Sequence, residues 1–287
     1  MIKSANTASG SLLTRITTYI IMVVLAVAVI VPYIWIIANS FQESSLIGKN
    51  SGGLLQSLIP SNPSLGSYIE VGVRMNLARV MFNTVFVAVS VTFLALLFNT
   101  MAGYAFARLK FKGKNLLFGL LILTYIIPFE VLVIPLYHTV KQLDMIGKYS
   151  GLIIPAAASA YGIFFFRQFF EEIPASLEEA AIIDGANKLK IYWSIMLPLM
   201  KSPLITLGII TFLGQWDNFL WAYTCVNQDN MHMLQVALVY VITGQMFRIN
   251  WGVMFAGVVV TALPVIILFI FLQKYYVENV TFSGIKG

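Results

Sequence analysis

Charge is scarce in this chain. Lys, Arg, Asp and Glu make up 10% of its 287 residues, and 59% are hydrophobic. Soluble domains carry about 25% charged residues, so the composition is that of an integral membrane protein. Its formal charge of +6 sits in short loops rather than in a basic stripe, and implies no nucleic-acid partner. A single cysteine, Cys225, excludes an internal disulfide and reads as a buried, inert thiol. His138 and His232 stand apart from other ligands, so no metal site is supported. The phosphate-cradling pattern G-x-x-x-x-G-K-[ST] is missing, because Gly48-Lys49, Gly113-Lys114 and Gly147-Lys148 lack its flanks. The chain therefore cannot hold ATP in the usual way. No nucleophile, base and orienting group assemble either, so neither an enzyme nor a cofactor is implied.

Long apolar runs are what the chain has instead. Residues 16–38, 79–104, 115–140, 151–170, 204–226 and 251–276 are each about the 20 residues a membrane helix needs. The expected fold is all-α, polytopic, with six transmembrane helices. The first run is too long for a signal peptide and ends at Asn39-Ser40-Phe41 without a small-residue cleavage site, so it is expected to be retained. Pro128 and Pro135 should kink or unwind the third span. Residues 39–78 read as a polar loop and 227–250 as another on the same side. Lysine and arginine orient the chain. Lys3, Arg15, Arg108, Lys110, Lys112, Lys114, Arg167, Lys188, Lys190, Lys201, Lys274 and Lys286 share one side; Lys49, Arg74, Arg79, Lys141, Lys148 and Arg248 share the other. Both termini and the 174–198 loop are therefore expected in the cytoplasm.

That loop, Pro174 to Pro198, is polar among greasy neighbours. Proline suits a helix start, and Ser176 with Glu179 has the S-x-x-E spacing of a capping box. The pattern predicts a short helix over 177–184, ended by Gly185 in a left-handed conformation, and a second helical run over 188–197. Ala180 and Ala181 leave room for another surface to approach. Glu171, Glu172, Glu178, Glu179 and Asp184 concentrate negative charge, which an anionic leaflet repels and a basic cleft on a soluble protein would accept. By chemistry alone, a solvated turn between two spans is an equal reading.

Glu179-Ala180-Ala181, three residues, Gly185, nine residues, Ile195, one residue and Leu197-Pro198 resembles the EAA loop of ABC-importer permeases. Further blocks resemble the carbohydrate-uptake group, of the maltose-permease type: Ala102 to Arg108, Phe111-Lys112-Gly113, Ile134-Pro135-Leu136, Phe164 to Ile173, Leu213 to Trp216, and Gly284-Ile285-Lys286-Gly287. The resemblance implies a type I importer permease in the bacterial cytoplasmic membrane. Its partners would be a second, non-identical permease subunit, two cytoplasmic ATP-binding subunits and an extracellular solute-binding protein, with the lipid bilayer around it. The loop would be the coupling helix. Glu179 would meet a basic group of the ATPase, Ala180 and Ala181 would allow close approach, Gly185 would permit the turn, and Asp184, Ile195, Leu197 and Pro198 would complete the element. Gly244 and Gln245 would contact the binding protein, and the tail around Lys286 would reach the ATPases. Residues 1–79 would form a tail, first helix and outer loop, 80–277 the permease core with coupling loop 171–201, and 278–287 a cytoplasmic tail.

Two acids, Glu130 and Asp217, fall inside expected spans. Intramembrane acids are costly and face a bundle interior or a water-filled cavity. They are expected, with Gln215, Trp216 and Asn218, to line the pathway and accept hydrogen bonds from sugar hydroxyls, while Trp216 or Tyr223 packs a sugar face. The other reading of these groups is helix-to-helix hydrogen bonding or sealing of the kink after Pro128. Relatives usually read Trp-Asn-x-Phe-Leu-x-Pro where this chain has Trp216-Asp217-Asn218-Phe219-Leu220-Trp221-Ala222, so helix geometry near Ala222 does not transfer. Alternatives are an ABC importer for amino acids or peptides, which shares the loop but not the flanking blocks, and an ion-coupled secondary transporter, which would need no ATPase.

Overall fold

The structure is a computed structural model that describes residues 12–44, 46–47, 58–244 and 250–283, except the side chains of 13 and 272–283. The described residues form helices joined by short turns, with no strand among them. Among the described residues three helices are long and apolar enough to cross a membrane, or six if each of three bent pairs counts as one span.

The chain divides into two compact units. One comprises Met1–Val73 with Ile242–Val260. It holds α1, Leu12–Ser40, and α2, Gly66–Arg74. The Ser40 hydroxyl lies 2.6 Å from the Tyr68 hydroxyl, and Phe41 packs on the same ring. These contacts hold α2 against the end of α1.

The other unit comprises Arg74–Val241 with Thr261–Gly287 and is organised by α3, Leu77–Arg108. Thirty-two residues make a rod of roughly 48 Å at 1.5 Å per residue. The run expected as the third span is two helices, α4 (Lys114–Tyr125) and α5 (Phe129–Gln142), bent by 105°. Pro128 explains the break, because proline disfavours helical backbone in the residue before it. Next come α6, Tyr149–Ile153, which tightens into a 3-10 turn over Ile154–Ala156, and α7, Ala160–Glu172. The Ser159 hydroxyl caps α7 by accepting from the Gly162 N–H at 3.0 Å.

Close approach of α3 and α7 depends on glycine. A Cβ built on Gly103 would stand 2.8 Å from the Phe166 Cβ, so any larger residue would force these helices apart. Such small-residue contacts are how membrane helices pack without a hydrophobic driving force. Beside them Asn99 Oδ1 accepts from the Ser159 N–H at 2.9 Å, satisfying a buried amide.

Helix α8, Ala175–Ile183, is followed by α9, Lys188–Ile191, which widens into a π turn over Tyr192–Met196 and closes at Leu197–Leu199. The next helix, α10, Lys201–Trp216, leaves at 77° to this arm. Pro203 accounts for the bend: it has no N–H to donate, and its ring would clash with the carbonyl of Leu199 in a continuous helix. The run expected as the fifth span is interrupted at Asp217–Phe219 before α11, Leu220–Cys225. The stretch expected as a loop over 227–250 contains a helix, α12, Leu234–Thr243, with Leu234, Val236, Ala237, Leu238 and Val241 buried. Its apolar run is too short to span a bilayer, so it reads as polar-flanked loop until packing reveals its buried face. Last is α13, Trp251–Ser283.

Two apolar clusters lie along α3. Toward its N-terminal end, Val87 and Val91 pack with Val140, Leu152, Trp221, Cys225 and Met233. Toward its C-terminal end, Tyr104 packs with Phe166, Phe170, Ala181, Ile191, Tyr192 and Met196.

Candidate functional site: an exposed hairpin and an acidic cavity

The α8–α9 hairpin is shaped by its own turn residues. The chain leaves α7 at Ile173 because Pro174 follows, and Pro174 is itself the residue that caps α8. The expected capping box does not form. Ser176 lies inside the helix, and no side chain caps its start. Helix entry one residue after the proline moves Ser176 past the cap position, and the Glu179 N–H it would accept from is already committed to the helix's own i−4 bonding. At the other end the glycine has the expected role. Gly185 has φ +81°, its N–H donates to the Ile182 carbonyl at 3.0 Å, and the Ala186 N–H donates to Ala181 at 2.9 Å. This is the paired bonding of a Schellman motif. Asn187 then caps α9 through Oδ1, which accepts from the Lys190 N–H at 2.8 Å.

The two glutamates of α8 lie on different faces of the helix. Glu179 is exposed, as are Ala180, Asp184, Gly185 and Pro198. Glu178 is buried and accepts a 2.8 Å bond from the Tyr104 hydroxyl of α3. Ala181 is also buried, inside the cluster at the C-terminal end of α3. The expected small surface for an incoming partner is thus Ala180 alone; Ala181 instead lets α8 lie close to its own bundle. Ile195 and Leu197 are half-buried against that cluster. Ile183, 85% exposed, Ile182 and Leu189 are exposed apolar side chains on the same hairpin.

The second feature is a cavity of about 610 Å³. Glu130, from the first turn of α5, and Asp217, from the α10–α11 break, both line it, with Gln215 and Asn218. Asn218 donates to Gln215 Oε1 at 3.2 Å, and the Gln235 amide donates to Asp217 Oδ1 at 3.2 Å. Phe129, Ser159, Thr211, Phe219 and Trp221 complete the polar and aromatic part of the lining. Trp216 is elsewhere: it is buried, and its indole N–H donates to the Thr261 carbonyl of α13 at 3.2 Å. Tyr223 is half-exposed outside the lining, stacked with Phe219 at 5.5 Å. Trp221 supplies the aromatic wall in their place, its N–H held by the Gly151 carbonyl at 3.0 Å. Its membership in the Trp216–Ala222 run was the one signal that could have found it. Pockets of roughly 300–1,000 Å³ with a few convergent polar groups suit small-molecule ligands.

Gly244 follows directly on α12, while Gln245 and the tail at Lys286 lie outside the described residues.

Residues 99–281 match the family model described as binding-protein-dependent transport system inner membrane component. The chain is 34% identical over 264 residues to an arabinooligosaccharides transport system permease protein of Halalkalibacterium halodurans, covering 92% of this chain and 93% of that one. It is 32% identical over 203 residues to an sn-glycerol-3-phosphate transport system permease protein of Yersinia enterocolitica, covering 71% and 72%. Among solved structures, a chain of a bacterial ABC transporter involved in the import of the acidic polysaccharide alginate superposes with a TM-score of 0.81 at 24% identity, covering 95% of this chain and 100% of that one. That superposition supports the helical permease fold.

Proposed function

The chain belongs to the family of binding-protein-dependent transport system inner membrane components, and on that premise we propose that it is the membrane-spanning subunit of an ATP-driven importer of an oligosaccharide or other carbohydrate. It crosses the bacterial cytoplasmic membrane six times with both termini inside, as the lysine and arginine distribution favours. A second, homologous permease completes the pathway, two cytoplasmic ATPases drive it, and an extracellular binding protein delivers solute. Residues 174–198 receive the ATPase. Glu130, Gln215, Asp217 and Asn218 offer acceptors to sugar hydroxyls in the cavity. Carbohydrate is favoured over other solutes by the oligosaccharide permease with which the chain aligns over nearly its full length.

The observation that carries this reading is the hairpin's tip. Glu179, Ala180, Asp184 and Gly185 are exposed together, on an element rooted in the bundle by Ala181 and Glu178. ATP-driven closure would push the tip and turn the pathway outward. Purification of the chain with its neighbours tests it: an ATP-hydrolysing subunit should copurify and uptake should depend on the binding protein. A complex lacking any such subunit, or labelling of residues 174–198 from outside the cell, would defeat it.

A further inference from the structure

Helix α3 holds the root of the hairpin in three places. The Tyr104 hydroxyl donates to Glu178 of α8 at 2.8 Å. One turn earlier the Thr100 hydroxyl is 2.7 Å from the Tyr192 hydroxyl of the second arm. At its end Arg108 donates to the carbonyls of Phe170 and Ile173, the last turn of α7, where a cation also complements the helix dipole. The Tyr104 ring is fixed edge-on to Phe170 at 5.5 Å and lies 5.3 Å from Tyr192.

At its other end the same helix holds a different segment. Asn83 Nδ2 donates to the carbonyls of Asn230 and His232, each at 3.0 Å, and its Oδ1 accepts from the Tyr149 hydroxyl at 2.7 Å. The Leu234 N–H donates to the Thr84 hydroxyl at 2.8 Å, and Arg79 reaches the Asn230 carbonyl. Asn83 and Tyr104 are roughly 32 Å apart along an unbroken helix at 1.5 Å per residue.

A carboxylate buried between α8 and α3 is a poor choice for packing alone. Burial of its charge is expensive unless hydrogen bonds compensate, and an apolar residue of similar volume is often as stable or more so. Glu178 is one residue from Glu179 yet on a different face of α8, so one face of this short helix is exposed and another is bonded to α3, a rod that runs on to residues 77–84. We propose that Tyr104 and Glu178 are positioning residues, forming the joint through which movement of the hairpin is passed to α3 and, by Asn83 and Thr84, to residues 230–234. This rests on the coupling reading above and adds the route the movement takes.

The test uses the reconstituted complex with its ATPase and binding protein, carrying Tyr104→Phe, Glu178→Ala or Glu178→Gln. Uptake and ATP hydrolysis are measured together, and a label at Asn230→Cys reports ATP-dependent movement. Tyr104→Phe and Glu178→Ala should retain the ATPase and its hydrolysis, while uptake per ATP falls by about tenfold, within the range of ordinary coupling factors, and the label stops responding. Glu178→Gln, whose amide oxygen still accepts from the phenol, should restore both. Unchanged uptake per ATP in Tyr104→Phe would overturn the joint. So would damage by Glu178→Gln equal to that by Glu178→Ala, which would make charge the cause. Loss of the ATPase from the Tyr104→Phe complex would reduce the pair to shaping the docking surface. A wild-type complex with no ATPase would instead remove the coupling reading, and the joint with it.

Discussion

The hairpin and the cavity are made in opposite ways. The hairpin is contiguous, and its turns are closed by groups a few residues apart: Pro174 at entry, Gly185 at the turn, Asn187 at the second start. The cavity gathers its lining from residues near 95, 129–136, 155–159 and 211–221. Its two acids enter the lining where α4–α5 bends by 105° and where the helix breaks at Asp217 between α10 and α11. One element's shape is thus local and survives changes elsewhere, whereas the other depends on several breaks falling in register.

The largest effect that would sharpen this contrast is at Gly185. No heavy atom lies within 4 Å of a Cβ built there, so Gly185→Trp projects its bulk outward from a left-handed position costing roughly 1–2 kcal/mol for other residues. Uptake should fall to background while the helices insert and ATP is still hydrolysed; normal sugar accumulation would contradict the coupling role. In the cavity, Asp217→Ala and Glu130→Ala should each lower uptake by about tenfold, as expected for loss of one hydrogen bond to a charged acceptor. Wild-type transport by assembled complexes of both variants would take these acids out of the pathway.

Neighbouring alanines offer a subtler discrimination. Ala181→Leu pushes bulk into a packed cluster and should destabilise the subunit by about 1–3 kcal/mol, read as a lower melting temperature in detergent. Ala180→Leu, on the exposed side, should leave stability alone and weaken ATPase retention. Equal melting temperatures would mean the two faces of α8 are not distinct. Smallest is Asn187→Ala. It removes the cap on α9 and should cost about 1 kcal/mol with transport nearly intact; a large loss of uptake would show that the second arm is not locally determined.

Much of this is legible in the amino-acid sequence. The apolar runs marked where helices lie, because an amide backbone in hydrocarbon has to satisfy its bonds internally. Pro128 marked the bent third span, and Gly185 the turn of the hairpin. Other features were opaque in one dimension. Glu178 and Glu179 are identical letters side by side, and only the rotation of α8 sends one to Tyr104 and the other outward. Trp216 and Trp221 flank the same break, yet one is tied to Thr261 while the other walls the cavity.

By itself the sequence determined where the long apolar helices lie and where Pro128, Pro174 and Gly185 break or turn the chain, since proline, glycine and apolar length act within a few residues of themselves. Which side chains meet was decided by tertiary structure alone. A residue's partner across a bundle depends on helix rotation and on bends contributed by distant segments, and neither is encoded at the residue that forms the contact.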